Sequence, residues 1–548
     1  MSKLLSRDDV AELISNGRAV VIYKDLVLDL TSWLSKHPGG DTAVHHMVGR
    51  DATDEMNAYH SIESISSFKN WKVGRIDYMW ENMLPPIQGG KYEKDFGVTS
   101  MEDVTKIVPS VEVPNKGIGY PIGQNVKPVV PSNVIPTEAN KDEYFPVESL
   151  ESKAKKSSAI VDPQLLMNDY DNALSQAALG DIPSLDYATQ QLLRDEYVKL
   201  HDAIIDSGLY QFSAWNYGRE LIKISSLFLY SFSFFKLNYI FLSALFMGMA
   251  WQQMTFIAHD SGHVSLTHNY QLDNIFGMII ADWFGGLSLG WWKRNHNVHH
   301  LITNDPVHDP DIQHLPFFAV SVRLFENVYS TYYKVVLPFD KVAEWMIPIQ
   351  NYTYYPILCF GRFNLYALSW MHLLRGLGPR HGKAAWFRYF ELAGLSFFFW
   401  WFFYLLVYKS IDNNWDRFVF VMVSHVATML VHVQITLSHF AMSTSDLGLS
   451  ESFPSRQVRT TMDVDCPEWL DFLHGGLQFQ AIHHLFPRLP RHNLRKAQPL
   501  VIEFCEKVGL KYSIYGFGKG NEIVIGKLAD IGKQCSIMLE ATKKLQDH

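Results

Sequence analysis

Residues 237–263 read LNYIFLSALFMGMAWQQMTFIAHDSGH, and the fold turns on how that stretch is taken. From Leu237 to Ala258 it holds no Asp, Glu, Lys or Arg. A helix needs about 20 mostly apolar residues to cross a bilayer core, so this run is long enough to span one. It ends at His259-Asp-Ser-Gly-His263, whose two imidazoles lie four residues apart and share one helix face. Further apolar stretches lie at 217–236, at 389–408, where Glu391 is the one charge, and at 418–438. Arg219 and Lys223 at the edge of the first can snorkel to the interface. The reading is four transmembrane helices in two hairpins, turning near Lys236 and through Lys409–Asp416.

The rest of the composition narrows the class. The chain has 548 residues, with Lys+Arg 48 against Asp+Glu 56, a net charge of −8. A mildly acidic chain is no polyanion binder, so no nucleic acid partner is expected. Four scattered cysteines, Cys359, Cys466, Cys505 and Cys535, form no CxxC pair, which argues against a disulfide framework or a thiolate metal site. The N-terminus, MSKLLSRDDV, lacks the apolar core of a signal peptide. Organisation follows from texture. Residues 1–80 read as a small α+β domain, in which Ala19–Tyr23 and Leu26–Leu30 flank a Lys24-Asp25 hairpin turn. Ten of 24 prolines fall between Pro85 and Pro163, so 81–180 reads as a Pro-rich linker. Residues 181–500 read as an all-α membrane domain with interfacial helices, and 501–548 as a polar C-terminal tail.

Seventeen of the 23 histidines lie between His259 and His492. Beside the first box stand His296-Asn-Val-His-His300 and Gln480-Ala-Ile-His-His484. Helical spacing lets each box offer two or three side chains to one point. Imidazole suits iron, copper, nickel or zinc. Seven histidines, His259, His263, His296, His299, His300, His483 and His484, with Gln480, are too many for one ion and about right for two. The boxes must share one side of the membrane. Two spans do not fit between the first and second boxes, and one would separate them, so Ile275–Trp292 is expected to be interfacial or re-entrant. Tyr352–Met371 must likewise not cross. The basic clusters around Arg375–Arg388 and Arg488–Lys496 mark the box side as cytosolic, and with it both termini.

In the N-terminal domain, His37-Pro-Gly-Gly40 is followed by His60 in Asn57-Ala-Tyr-His-Ser61. Two neutral imidazoles on opposite faces of a haem give a six-coordinate electron-transfer site. Residues 1–80 resemble a cytochrome b5 domain, which implies haem b held by His37 and His60. His45 and His46 are then exposed helix residues. Asp41, Asp51, Asp54, Glu55 and Glu63 suit docking of a basic reductase.

The three boxes together resemble the membrane fatty-acyl desaturase family. The fused b5 domain and the Gln of QxxHH resemble its front-end branch, and the segments Asp305–Pro316 and Gly475–His492 are most similar to fungal Δ8-sphingolipid desaturases. The resemblance implies a cytosolic di-iron centre ligated by the box residues. It adds His439, in Leu437-Ser-His-Phe440, as a further ligand. By residue type, Asp260 and Asp309 can orient ligating rings or cap a helix, and His268, His432 and His474 read as structural residues or supports of the ligating rings. The resemblance leaves those roles open. It also implies O₂ as co-substrate, electrons from NADH through a separate cytochrome b5 reductase, a ceramide substrate in the endoplasmic reticulum membrane, and an E double bond at C8. A front-end acyl-lipid desaturase of the Δ5/Δ6 type shares every motif. A b5-fused lipid hydroxylase lacks the QxxHH form, and a zinc hydrolase would need an HExxH that is absent.

Overall fold

The computed structural model describes residues 3–92 and 162–546. The N-terminal domain carries a three-stranded antiparallel sheet, Val20–Tyr23, Leu26–Asp29 and Lys72–Arg75. The first two strands pair Tyr23 with Leu26, so Lys24-Asp25 is a two-residue hairpin loop, and Lys24 takes φ 55° there. Short helices, among them Asp41–His45, Thr53–Tyr59 and Ile62–Ser67, fill the segment between the second and third strands.

Among the described residues, three helices are long and apolar enough to cross a membrane: Ile240–Gly262, Gly382–Lys409 and Asn414–Phe440. The expected span at 217–236 lies in a continuous helix, Ala214–Lys236, that packs along Ile240–Gly262. Reciprocal bonds lock this pair, Ser231 Oγ donating to the Ser243 carbonyl and Ser243 Oγ to that of Ser231, both at 2.8 Å. Arg219, Glu220 and Lys223 occupy its first turns, so its apolar run is shorter than those of the other three. Helices Tyr270–Phe284 and Leu289–Leu301 meet at 116° across Gly285–Ser288. That bend is the geometry of a broken span or of a re-entrant loop, and it returns the second box toward the first. Tyr352–Met371 falls across two helices, Gln350–Leu358 and Gly361–Arg375.

The body departs from an all-α reading in two small sheets. Val328–Ser330 pairs with Val335–Leu337, and Asp463–Asp465 runs parallel to Ile514–Gly516. Three-residue ladders are too short to leave a period-2 pattern in a sequence. The second sheet ties the tail to the segment before the third box. The tail then continues as the 30-residue helix Phe517–Gln546, where Gln350 Nε2 donates to the Leu528 carbonyl at 2.9 Å. Most of the expected linker, residues 93–161, lies outside the described residues. Its C-terminal part forms a helix, Pro163–Leu179, started by Asp162, whose side chain accepts from the Gln164 amide, with Pro at the first helical position.

The N-terminal domain is docked on the body, which overturns two expectations. His46 is fully buried, its ring 5.6 Å from that of His308. The carboxylates assigned to a reductase instead face the chain's own arginines. Asp41 pairs with Arg294 at 3.2 Å, and Asp51 and Asp54 pair with Arg194 at 2.6 and 2.9 Å. Glu55 is buried, and burial raises its carboxyl to about 7. Glu63 alone of the five remains exposed. An acidic face read from sequence carries no label for which basic partner it meets.

Candidate haem and metal sites

His37 follows a short turn, Leu34–Lys36, and His60 ends the helix Thr53–Tyr59. Their ring centroids are 6.2 Å apart. His37 Nδ1 lies 2.8 Å from the Gly40 carbonyl and His60 Nδ1 2.9 Å from that of Met56. A carbonyl oxygen only accepts, so each Nδ1 carries the proton and each Nε2 keeps a free lone pair. Imidazole nitrogen sits about 2 Å from a first-row metal, which sets two rings on opposite sides of one ion about 6 Å apart. The crevice therefore fits a haem held by both rings. Burial lowers the pKa of both, His60 to about 4, so each is in the neutral, ligating form at neutral pH.

The boxes converge from three helices. His259 and His263 at the end of Ile240–Gly262, His296 on Leu289–Leu301 and His483 on Gln480–Leu485 offer nitrogens that all lie within 4.8 Å of one another. His299, His439 and His484 form a second such group. Neighbouring residues on a helix point about 100° apart, which is how His483 and His484 serve different groups. His300 stands between the groups. Its Nε2 is 2.9 Å from His296 Nε2, and its ring stacks on His484 at 4.0 Å.

Five nitrogens here, His263 Nε2, His300 Nδ1, His439 Nδ1, His483 Nε2 and His484 Nε2, are buried with no hydrogen-bond partner. Each such atom costs about 1–3 kcal/mol if left unsatisfied, and metal coordination removes that cost. Nitrogen donors without thiolate suit iron or another first-row metal. The nitrogens thus fall into two imidazole groups able to hold metal, and His296, His299 and Asp311 form a third that overlaps both.

Outer contacts fix the rings. Asp309 accepts from His299 Nδ1 at 2.8 Å, and Asp311 lies 3.4 Å from His296 Nδ1. Gln457 Oε1 is 2.9 Å from His484 Nδ1, while its amide donates to the His300 carbonyl. Such contacts set the tautomer and the basicity of a ligating ring. Asp260 is held mainly by others, accepting from the Tyr217 hydroxyl at 2.7 Å and from Arg491 at 2.8 Å, with His259 Nδ1 at 3.8 Å. Sequence reasoning missed Asp311 and Gln457. The D-P-D run at 309–311 is a signal that could have found the first, and nothing marks the second. Gln480 lines a small cavity with His259, Asp260, His483 and Arg491. His268 bonds the Tyr210 carbonyl and His474 bonds Gln434, and neither belongs to either group.

Residues 237–516 match the family model described as fatty acid desaturase. The chain belongs to the fatty acid desaturase family. Residues 6–85 match the cytochrome b5-like haem/steroid binding domain. Along nearly its whole length, this desaturase is 64% identical to the "Delta 8-(E)-sphingolipid desaturase" of Candida albicans, covering 99% of this chain and 98% of that one. It is 58% identical to the protein of the same name in Kluyveromyces lactis, over 100% and 96% of the two chains. For that of Lachancea kluyveri the identity is 57%, over 100% and 96%. The family resemblance read from HPGG and the three boxes thus holds. The desaturase is a lipid-directed oxidoreductase with a fused b5 domain.

Proposed function

We propose that this desaturase inserts an E double bond at C8 of the long-chain base of ceramide. Near-full-length likeness to three relatives that share one printed name carries the substrate assignment. His259, His263, His296 and His483 would hold one iron and His299, His439 and His484 the other, with His300 between them and Gln480 at the cavity edge of the first. Iron bound there supplies activation of O₂ and an oxidant strong enough to take hydrogen from an unactivated methylene. The chain's own part is to keep the rings neutral and rigidly aimed, to bury the centre away from water, and to hold one carbon pair of an extended lipid at it. His37 and His60 would hold haem b, reduced by a separate NADH-dependent cytochrome b5 reductase.

The test is lipid profiling of a host without this activity, with and without the chain. Mass spectrometry should find the sphingoid base of ceramide carrying one new double bond at C8. An unchanged base with an unsaturated acyl chain would mean an acyl-lipid desaturase, and a hydroxylated base a hydroxylase.

The same reading places the enzyme in the endoplasmic reticulum membrane with four spans, and with boxes and termini cytosolic. A glycosylation acceptor inserted in the 409–416 loop should be modified and one near residue 380 should stay bare. Modification near 380 would overturn the orientation.

A further inference from the structure

We propose that Tyr59 is the residue that couples the haem crevice to the metal centre within one chain, by joining His60 to His300. This rests on the reading of His37 and His60 as haem ligands and of the boxes as metal ligands. Tyr59 is covalently next to His60. Its ring meets that of His300 edge to face, with centroids 6.0 Å apart and planes at 81°. That separation is within the contact range of aromatic pairs. His300 in turn touches rings of both metal groups, so one contact reaches the whole centre. The Tyr59 hydroxyl is buried without a partner, so the ring makes the junction and the oxygen does not.

The surrounding surface is built to hold that contact. The helix carrying the second box forms one wall of the docking interface. Asn297 Nδ2 donates to the Gly39 carbonyl at 3.2 Å, and Arg294 donates to Asp41 at 3.2 Å and to Thr42 at 2.9 Å. A Cβ on Gly39 would come 3.0 Å from Asn297 Nδ2, and one on Gly40 would come 3.1 Å from Arg294 Cγ. Gly40 also takes φ 91°. The glycines of HPGG thus serve close approach to the second box as well as to a haem. On the other flank Arg194 binds Asp51 and Asp54.

The redox account balances. O₂ going to two waters takes four electrons, of which two leave with the hydrogens of the neighbouring methylenes. The other two come from the haem one at a time. Each transfer would oxidise ferrous haem held by His37 and His60 and reduce ferric iron held by the box histidines, two protons from solvent would complete the two waters, and the reductase would restore the haem.

The experiment uses the full-length holoenzyme with its haem pre-reduced photochemically, mixed with O₂ and ceramide, and follows haem re-oxidation by absorbance. Tyr59→Phe keeps the ring and should stay within about twofold of wild type, whereas Tyr59→Leu should slow re-oxidation about tenfold or more. Arg194→Glu, which touches neither site, should slow it comparably by undocking the domain. Haem spectrum, midpoint potential and oxidation by ferricyanide should not change in any of the three. A Tyr59→Leu protein with a normal spectrum and a wild-type rate overturns the proposal. If that substitution disturbs the haem spectrum, Tyr59→Met, which also removes the ring, decides, and a wild-type rate there overturns it equally. A wild-type protein lacking a bis-imidazole haem spectrum, or lacking non-haem iron, identifies the underlying site reading as what failed.

Discussion

Replacing His299 by alanine is expected to abolish desaturation, by at least about a hundredfold, and to remove about half of the non-haem iron. His299 is one of three imidazoles in its group, so its loss would leave only His439 and His484 to hold the proposed ion there. It also removes from fully buried Asp309 the ring proton that its Oδ2 accepts at 2.8 Å, leaving the carboxylate the backbone N–H groups of Asn304 and Asp311. The haem spectrum should be untouched, because neither His37 nor His60 contacts this group. Metal content and haem absorbance measured on one preparation therefore separate a local loss from misfolding. A His299→Ala protein with full activity would remove the second metal group from the account.

His37→Ala is the other large effect. The bis-imidazole haem spectrum should disappear, and desaturation with it, when the chain is expressed in a host lacking free cytochrome b5. The non-haem iron should remain, since the boxes take no ligand from residues 3–92. Free cytochrome b5 could substitute for the fused domain, which is why the host matters. Full activity in the specified host would show that electrons reach the centre without the fused haem.

What the sequence disclosed and what it hid divide along contact range. The histidines that the fold brings together were legible because their signals are local. HxxxH and HxxHH are helix-face spacings, HPGG is a turn, and Lys24-Asp25 is a two-residue hairpin loop. The family resemblance then supplied His439, which lies 45 residues from His484 and shares no motif with it. The docking surface was not legible. Arg194 meets Asp51 and Asp54, and Arg294 meets Asp41, across separations of more than a hundred residues, and no periodicity records such pairs. The five carboxylates accordingly read as a docking face for a basic reductase. His46 read as exposed because the ring packed beside it, that of His308, lies in the body, far along the chain. Gln457 was invisible for the same reason, since a lone glutamine gains meaning only when folding brings it to His484.

The two metal groups beside the haem crevice are the centre of the account, and metal analysis of the purified chain tests them most directly. The expected result is three iron atoms per chain, one extracted with the haem and two left behind. Haem iron alone, or zinc in place of the other two, would contradict it.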